Sequence, residues 1–242
     1  METAVTPLRV FDTPEALGDA VAARIVERAA AAAAQGKRFL LGCPTGRTPR
    51  PVYEALARRR VDLGHVTLVM MDEYLVDGAP ATESWSCQAF VRQQMNFGAG
   101  EIWFPDPADP AAYDRRIADA GGIDLFLLAS GATDGHVAFN STGSPRDSRT
   151  RIVPLSDQTR RDNLQTSPSF GSLENVPREG VTVGIATIAE AREAIMALTG
   201  ASKRQSLRRI VEATGYDPSW PATVIHECAV REIVADAAAA QA

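Results

Sequence analysis

Asp134-Gly135-His136 sets a carboxylate two positions from an imidazole, and His136 is one of only 3 histidines in the chain. A carboxylate at that spacing can hold or charge the ring, giving a group that transfers protons near neutral pH. A histidine kept for packing is the plainer reading, but the small residues on both sides favour the chemical one. Asp72-Glu73 directly follows the apolar run Val66-Thr67-Leu68-Val69-Met70-Met71. A carboxylate carried to the end of a buried strand is partly desolvated, and its proton affinity rises as a general base requires. An ordinary solvated or helix-capping pair is the alternative. Pro44-Thr45-Gly46-Arg47-Thr48-Pro49 gathers hydroxyls, a glycine and a guanidinium just before a predicted helix. Free backbone N–H groups and the helix dipole favour an anion such as phosphate there. The loop lacks the Gly-Lys-Ser/Thr ending of a nucleotide-binding loop, and a tight strand-to-helix turn with a surface arginine would read the same. Lys203, in Gly200-Ala201-Ser202-Lys203, either reaches a phosphate held by the Thr45 loop or is a solvated lysine. His65 and His226 have no comparable neighbours and are read as structural.

The elements that must position these groups alternate. Thr13-Pro14-Glu15 pairs a capping threonine with proline at the first helical position, and the helix runs through the alanine-rich stretch to Gln35 before Gly36. Strand, loop and helix then follow over Phe39 to Leu41, Cys43 to Pro49 and Pro51 to about Arg60. The order repeats with strands at Val66 to Met71 and Ile102 to Phe104, and helices at Ser84 to Met95 and Ala111 to Ala120. Further strands are expected at Ile123 to Leu128, Thr150 to Val153, Val181 to Ile185 and Glu232 to Ala235. Thr159 to Arg178 reads as looser, Ala189 to Met196 as a helix, Gly200 to about Ala213 as another, and Ala237 to Ala242 as a frayed tail. Continuous apolar strands alternating with helices imply an α/β fold, a mostly parallel sheet covered on both faces as a three-layer sandwich. No repeat or Ser/Gly/Pro linker divides residues 1–242, so a single domain is expected. In such sheets ligands gather at the carboxyl ends of strands, and all three polar clusters fall there.

Composition narrows the function classes. The chain of 242 residues is 45% hydrophobic and 23% charged, the balance of a globular protein. Its net charge of −5 is spread along the chain, so neither a nucleic-acid partner nor a membrane partner is expected, and an anionic ligand must be met locally. The N-terminus shows no leader pattern and no segment nears the roughly 18 apolar residues of a membrane span. Three widely separated cysteines, Cys43, Cys87 and Cys228, fit neither a disulfide framework nor metal-type pairing. A cytoplasmic protein is the expectation.

Pro44-Thr45-Gly46-x-Thr48-Pro49, Met71-Asp72-Glu73-Tyr74, Asp134-Gly135-His136-Val137-Ala138-Phe139-Asn140, Ser148-Arg149-Thr150-Arg151 and Gly200-Ala201-Ser202-Lys203 occur in this order. Together they resemble the glucosamine-6-phosphate deaminase/isomerase and 6-phosphogluconolactonase family from about Phe39 to Ala235, and Phe139-Asn140 is closer to the deaminase branch. The resemblance implies a Rossmann-like sheet without a nucleotide, no cofactor and no metal, a small-molecule sugar phosphate as ligand, and a tendency to form homo-oligomers. It further implies that His136, with Asp134 as charge partner, opens the sugar ring. Asp72 would move a proton between C2 and C1, and Thr45, Gly46, Thr48 and Lys203 would hold the phosphate.

Several positions depart from the family pattern. Ser141 stands where the deaminases carry a glutamate that completes the ring-opening triad. Gln165 stands at a phosphate-binding arginine position, forfeiting a charge-assisted bond worth about 1.5–3 kcal/mol. Arg47 occupies a position that is small in the family and either compensates for Gln165 or recognises another acidic group. The approach to Asp134 is also altered, to Ala129-Ser130-Gly131-Ala132. The leading expectation is an isomerase-type hydrolase acting on an amino-sugar phosphate. A lactonase in which His136 activates water and Asp72 is dispensable, and a sugar-phosphate sensor without turnover, are the alternatives.

Overall fold

The computed structural model describes residues 6–241. In chain order its first half contains β1 (Leu8–Phe11), α1 (Pro14–Ala33), β2 (Phe39–Cys43), α2 (Arg50–Arg59), β3 (Leu63–Met70), β4 (Asp72–Val76), β5 (Ala79–Pro80), α3 (Cys87–Gln94), β6 (Ala99–Trp103) and α4 (Pro110–Asp119). The second half contains β7 (Leu125–Ala129), β8 (Arg151–Pro154), α5 (Asp157–Thr166), β9 (Glu179–Thr182), α6 (Ile185–Ala189), β10 (Glu193–Leu198), α7 (Arg204–Glu212), β11 (Val230–Asp236) and α8 (Ala237–Ala240).

Seven strands form one sheet in the order β1-β11-β10-β7-β2-β3-β6, and every pairing in it is parallel. Strands buried on both sides need apolar residues at every position, which is why Phe39–Cys43 and Leu125–Leu128 carry no alternation. Helices α1 and α2 cover one face through Leu17, Val21, Ile25, Val52, Tyr53 and Leu56. The other face is covered by α4, α6, α7 and the 3-10 stretch Pro221–Glu227, contributing Tyr113, Ile188, Ile210 and Val224. The three-layer α/β architecture expected from the alternation of elements is therefore present.

A second sheet was not foreseen. After β3 the chain passes through buried Met71 straight into β4, which joins an antiparallel sheet in the order β5-β4-β9-β8. Asp72-Glu73-Tyr74 is thus strand rather than loop, and the strands expected near Thr150 and Val181 belong here, outside the parallel sheet. Met71 joins the two sheets, donating its N–H to the Cys43 carbonyl and accepting from the Val183 N–H.

Other expectations are corrected. The stretch Ala189 to Met196, read as a helix, ends in central strand β10 between β7 and β11, with all of Glu193–Leu198 buried. Its alanine and glutamate content favours helix locally, but an apolar run between two parallel strands gains more from burial. Glu193 is tolerated there because Arg24 and Arg28 of α1 each donate to one of its oxygens, at 2.9 and 2.8 Å. The looser segment contains α5, capped by the Ser156 hydroxyl, which accepts from the Thr159 N–H at 3.0 Å. The tail is not frayed over Ala237–Ala240: Asp236 caps this turn and Ala239 is buried, while Ala242 lies outside the described residues. No helix among the described residues is long and apolar enough to cross a membrane.

Candidate functional site

Strand order reverses between β2 and β7, and the crevice beyond their carboxyl ends is where ligands bind in such sheets. A cavity of about 130 Å³ opens there. Its lining draws Thr45, Gly46, Arg47 and Thr48 from the loop after β2, Asp72 from the start of β4, His136 from the loop after β7, and Lys203 from the turn before α7. Three separated sequence clusters and the distant lysine therefore meet in one place.

Asp72 is only 5% exposed and is set among Met71, Tyr74 and Cys87. Burial pushes its carboxyl up to about 7, opposed by a hydrogen bond from the Cys87 thiol; the Glu73 charge raises it further and His136 lowers it. Neighbouring Glu73 points elsewhere. Its carboxylate accepts from the backbone N–H groups of Tyr74, Cys87 and Gln88 at 2.8–3.0 Å, capping the start of α3. The pair thus divides into a buried, cavity-lining acid and a capping acid.

The loop after β7 closes on itself through the Gly131 N–H, which donates to the His136 carbonyl at 2.7 Å. Inside it His136 Nδ1 lies 2.7 Å from Asp134 Oδ1, so the ring's Nδ1–H is held and Nε2 is left for chemistry. Burial pushes the Asp134 carboxyl up, but His136, the Thr159 hydroxyl and the His136 backbone N–H outweigh it and hold it well below the usual carboxylate range. Phe139-Asn140 anchors the far side: Asn140 Nδ2 donates to the carbonyls of Val137 and Val183. Between them Ala138 lines the cavity with φ at 51°, a left-handed conformation that costs an L-residue roughly 1–2 kcal/mol.

Two residues missed in the sequence complete this corner. Thr159 of α5 donates to Asp134 Oδ2 at 2.8 Å and is itself contacted by Ser141 and Ser156 hydroxyls at 3.1 and 2.8 Å. Asp162, one helical turn on, accepts from the backbone N–H groups of Ala132 and Thr133 and from the Thr133 hydroxyl. Asp134, His136 and Asp162 each bring a donor atom within 4.8 Å of one another. All four oxygens of the two carboxylates also accept hydrogen bonds. The signal for both was the Ser156-to-Thr159 capping pattern, which makes positions 159 and 162 neighbours on one helical face.

Three basic side chains, Arg47, Arg50 and Lys203, also line the cavity. Lys203 Nζ donates to the Ser130 carbonyl. Burial lowers its ammonium to about 8, Asp162 and Asp134 support the charge, and Arg47 opposes it. Arg50, also unforeseen, lines the mouth beside Arg47, with its guanidinium 5.8 Å from the Phe90 ring centre. Gln165 does not line the cavity: it is exposed on α5, whose cavity-facing positions are Asn163 and Thr166, with Ser167 just beyond the helix. A side chain two positions from Asn163 on a helix points roughly 200° away, which explains the displacement. Trp85, Tyr74 and Phe139 wall the remaining side, Tyr74 lying 5.6 and 4.8 Å from the other two ring centres. His65 and His226 lie outside the lining, bonded to the Ala29 carbonyl and to Thr6 and the Ile210 carbonyl.

Known proteins share this arrangement of chain. A glucosamine-6-phosphate deaminase of Pseudarthrobacter chlorophenolicus is 39% identical over 214 residues, covering 84% of this chain and 81% of its own length. Another, from Arthrobacter sp. strain FB24, is 40% identical over 185 residues, covering 72% and 70%. A solved monomeric glucosamine-6-phosphate deaminase superposes with a TM-score of 0.84 at 26% identity over 97% of this chain and 98% of its own. A 6-phosphogluconolactonase from Shewanella baltica shares the fold, with a TM-score of 0.75 at 18% identity over 97% and 99% of the two chains. The profile of the glucosamine-6-phosphate isomerases/6-phosphogluconolactonase family matches residues 12–234, and the chain belongs to that family.

Proposed function

We propose that the chain is an amino-sugar phosphate isomerase-deaminase that converts glucosamine 6-phosphate to a ketose 6-phosphate and ammonia. The observation that carries this reading is Asp72, a buried carboxyl poised near 7 in the same cavity as the His136–Asp134 pair. His136 Nε2 moves the proton that opens the ring, and Asp72 takes the proton from C2 and returns it to C1. Water then adds to the C2 imine and ammonia leaves, so one water is consumed and the net reaction is a hydrolysis. Thr45, Gly46, Thr48, Arg47 and Lys203 hold the phosphate, and Arg50 extends that cationic end. Binding energy from this non-reacting end orients the reacting carbons. The glutamate missing at Ser141 is replaced by hydroxyls around Thr159, with Asp162 supplying the second negative charge beside the imidazole.

Sequence relatives at 39–40% identity that are named as deaminases support this reading. The three buried, unpaired cysteines suit a reducing cytoplasm. A lactonase reading draws on Ser141, since ester hydrolysis needs neither the ring-opening glutamate nor a C2–C1 shuttle.

Proton NMR in deuterated water separates the two. With glucosamine 6-phosphate the expected result is exchange at C1/C2 and appearance of ketose, both lost in Asp72→Asn. Accelerated opening of 6-phosphogluconolactone over its spontaneous rate, with no exchange of the amino sugar, would instead establish the lactonase. Ligand binding without change to either compound would leave a sensor.

The phosphate end yields its own expectation. Lys203 in the free protein gives up its proton near pH 8, so KM for the sugar phosphate should rise above that pH. Lys203→Gln should raise KM about 10–100-fold at pH 7, the worth of one charge-assisted bond, and should flatten the rise. Initial rates from pH 6 to 9.5 check both.

A further inference from the structure

We propose that Cys87 is a positioning residue for Asp72, its thiol holding the carboxylate by an S–H···O hydrogen bond and linking it to the anion loop through Thr45. This rests on the reading of Asp72 as the proton-transferring group. Cys87 Sγ donates to Asp72 Oδ1 at 3.4 Å and lies 3.7 Å from Thr45 Oγ1 on its other side. Among the described residues, Cys87 is the one group that hydrogen-bonds the Asp72 carboxylate. Without it that carboxylate would be buried and unpartnered, the costly case for a polar group.

The thiol is fixed in place. Cys87 is the first residue of α3, and both of its neighbours in sequence are engaged in capping: Ser86 Oγ accepts from the Ala89 N–H at 3.0 Å, and Glu73 accepts from the Gln88 N–H at 2.8 Å. Glu73 also accepts from the N–H of Cys87 itself at 3.0 Å. The backbone bearing the sulfur is therefore tied to β4, the strand that bears Asp72. Burial, with Asp72 and Glu73 nearby, pushes the thiol's proton affinity far up, so it remains an S–H donor and not a thiolate.

The other groups facing Asp72 are Glu73 and Tyr74 on β4, Tyr53 on α2, Tyr113 on α4 and His136 after β7. All of them persist when only Cys87 is changed, so a shift on substitution reports the sulfur. Because a donor favours the ionised carboxylate, its loss raises the Asp72 midpoint.

The test is a pH titration of the intact protein labelled with aspartate carrying ¹³C at the carboxyl, the Asp72 resonance being the one missing in Asp72→Asn. Cys87→Ala is expected to raise the midpoint by about 0.5–1 unit, the effect of one ordinary hydrogen bond. Cys87→Ser, which restores a donor, is expected to bring it back to the wild-type value or lower. The acidic limb of the kcat/KM profile should move with the resonance for whichever substrate is turned over. An unchanged midpoint in Cys87→Ala, or one raised equally in both variants, would overturn the proposal and leave the sulfur as packing. If Cys87→Ala does not fold, Cys87→Val removes the donor while filling the space. The titration needs no turnover, so it decides the role of Cys87 even if neither candidate substrate reacts.

Discussion

Asp72→Asn is expected to lower turnover of the amino-sugar phosphate by about 10²–10⁴-fold, the usual contribution of a positioned acid-base group, and to make the protein more stable at alkaline pH. The two effects have one cause. Folding buries the Asp72 carboxyl and raises it to about 7, whereas in the unfolded chain it titrates near 3.9. A group raised by folding contributes stability that is fully present below the unfolded value and lost as pH rises through the folded one. Three units at about 1.36 kcal/mol each amount to as much as about 4 kcal/mol lost by pH 8. Asparagine bears no charge at any pH and keeps an oxygen to accept from Cys87, so it escapes that loss. The expected result is a higher Tm for the variant at pH 8, by about 2–4 °C per kcal/mol recovered, with the gap narrowing as pH falls below about 7 and closing near pH 4. Melting curves at pH 4, 5 and 8 beside turnover at pH 7.5 check it. A variant less stable than the wild type at pH 8 would mean that local contacts favour the carboxylate, which would then be a poor base.

How far this could be read in advance depended on whether a signal was local. Strands β2 and β7 announce themselves as unbroken apolar runs and β3 as a run interrupted only by Thr67 from Val66 onward, and the polar residues just beyond all three mark the cavity mouth. Strand β10 did not, because Glu193-Ala194 carries helical preference and only its place between β7 and β11 decides otherwise. The antiparallel sheet was hidden for a related reason: β4 continues β3 with one residue between them, so a change of sheet leaves no break in the pattern. Asp72, Asp134, His136 and Lys203 were each visible as a residue type at a strand or helix end. Thr159, Asp162 and Cys87 were not, since their relation to Asp134, His136 or Asp72 is one of packing across 15 or more positions. Gln165 shows the converse error, a position carried over from the family resemblance into a segment whose helical phase had not been recognised.

Two glycines flanking Asp134 should respond in opposite ways to the same added methyl group. At Gly131 a Cβ would stand 2.3 Å from His136 Nδ1 and 2.5 Å from Asp134 Oδ1, inside the pair itself. Those atoms belong to side chains rather than backbone, and His136 lines the cavity, so they can move aside at modest cost to folding, but a displacement of about 1 Å in a reacting group costs on the order of 10²-fold in rate. At Gly135 the backbone is left-handed, with φ at +65°, and a Cβ would stand 2.4 Å from the buried Trp220 ring. That ring cannot retreat easily, because Arg209 stacks over it and the Ala222 N–H two residues on is bonded to the Gly135 carbonyl. Left-handed strain and overpacking together should cost about 2–5 kcal/mol. Gly131→Ala is therefore expected to fold with little change in Tm and to lose about two orders of magnitude in kcat/KM. Gly135→Ala should lower Tm by roughly 2–4 °C per kcal/mol and lose activity chiefly by unfolding. Measuring Tm and kcat/KM on both variants tests the separation. Equal loss of stability at the two positions would show that the Asp134–His136 pair is held as rigidly as the core beneath it, and that the loop after β7 is part of the folding unit rather than a surface laid upon it.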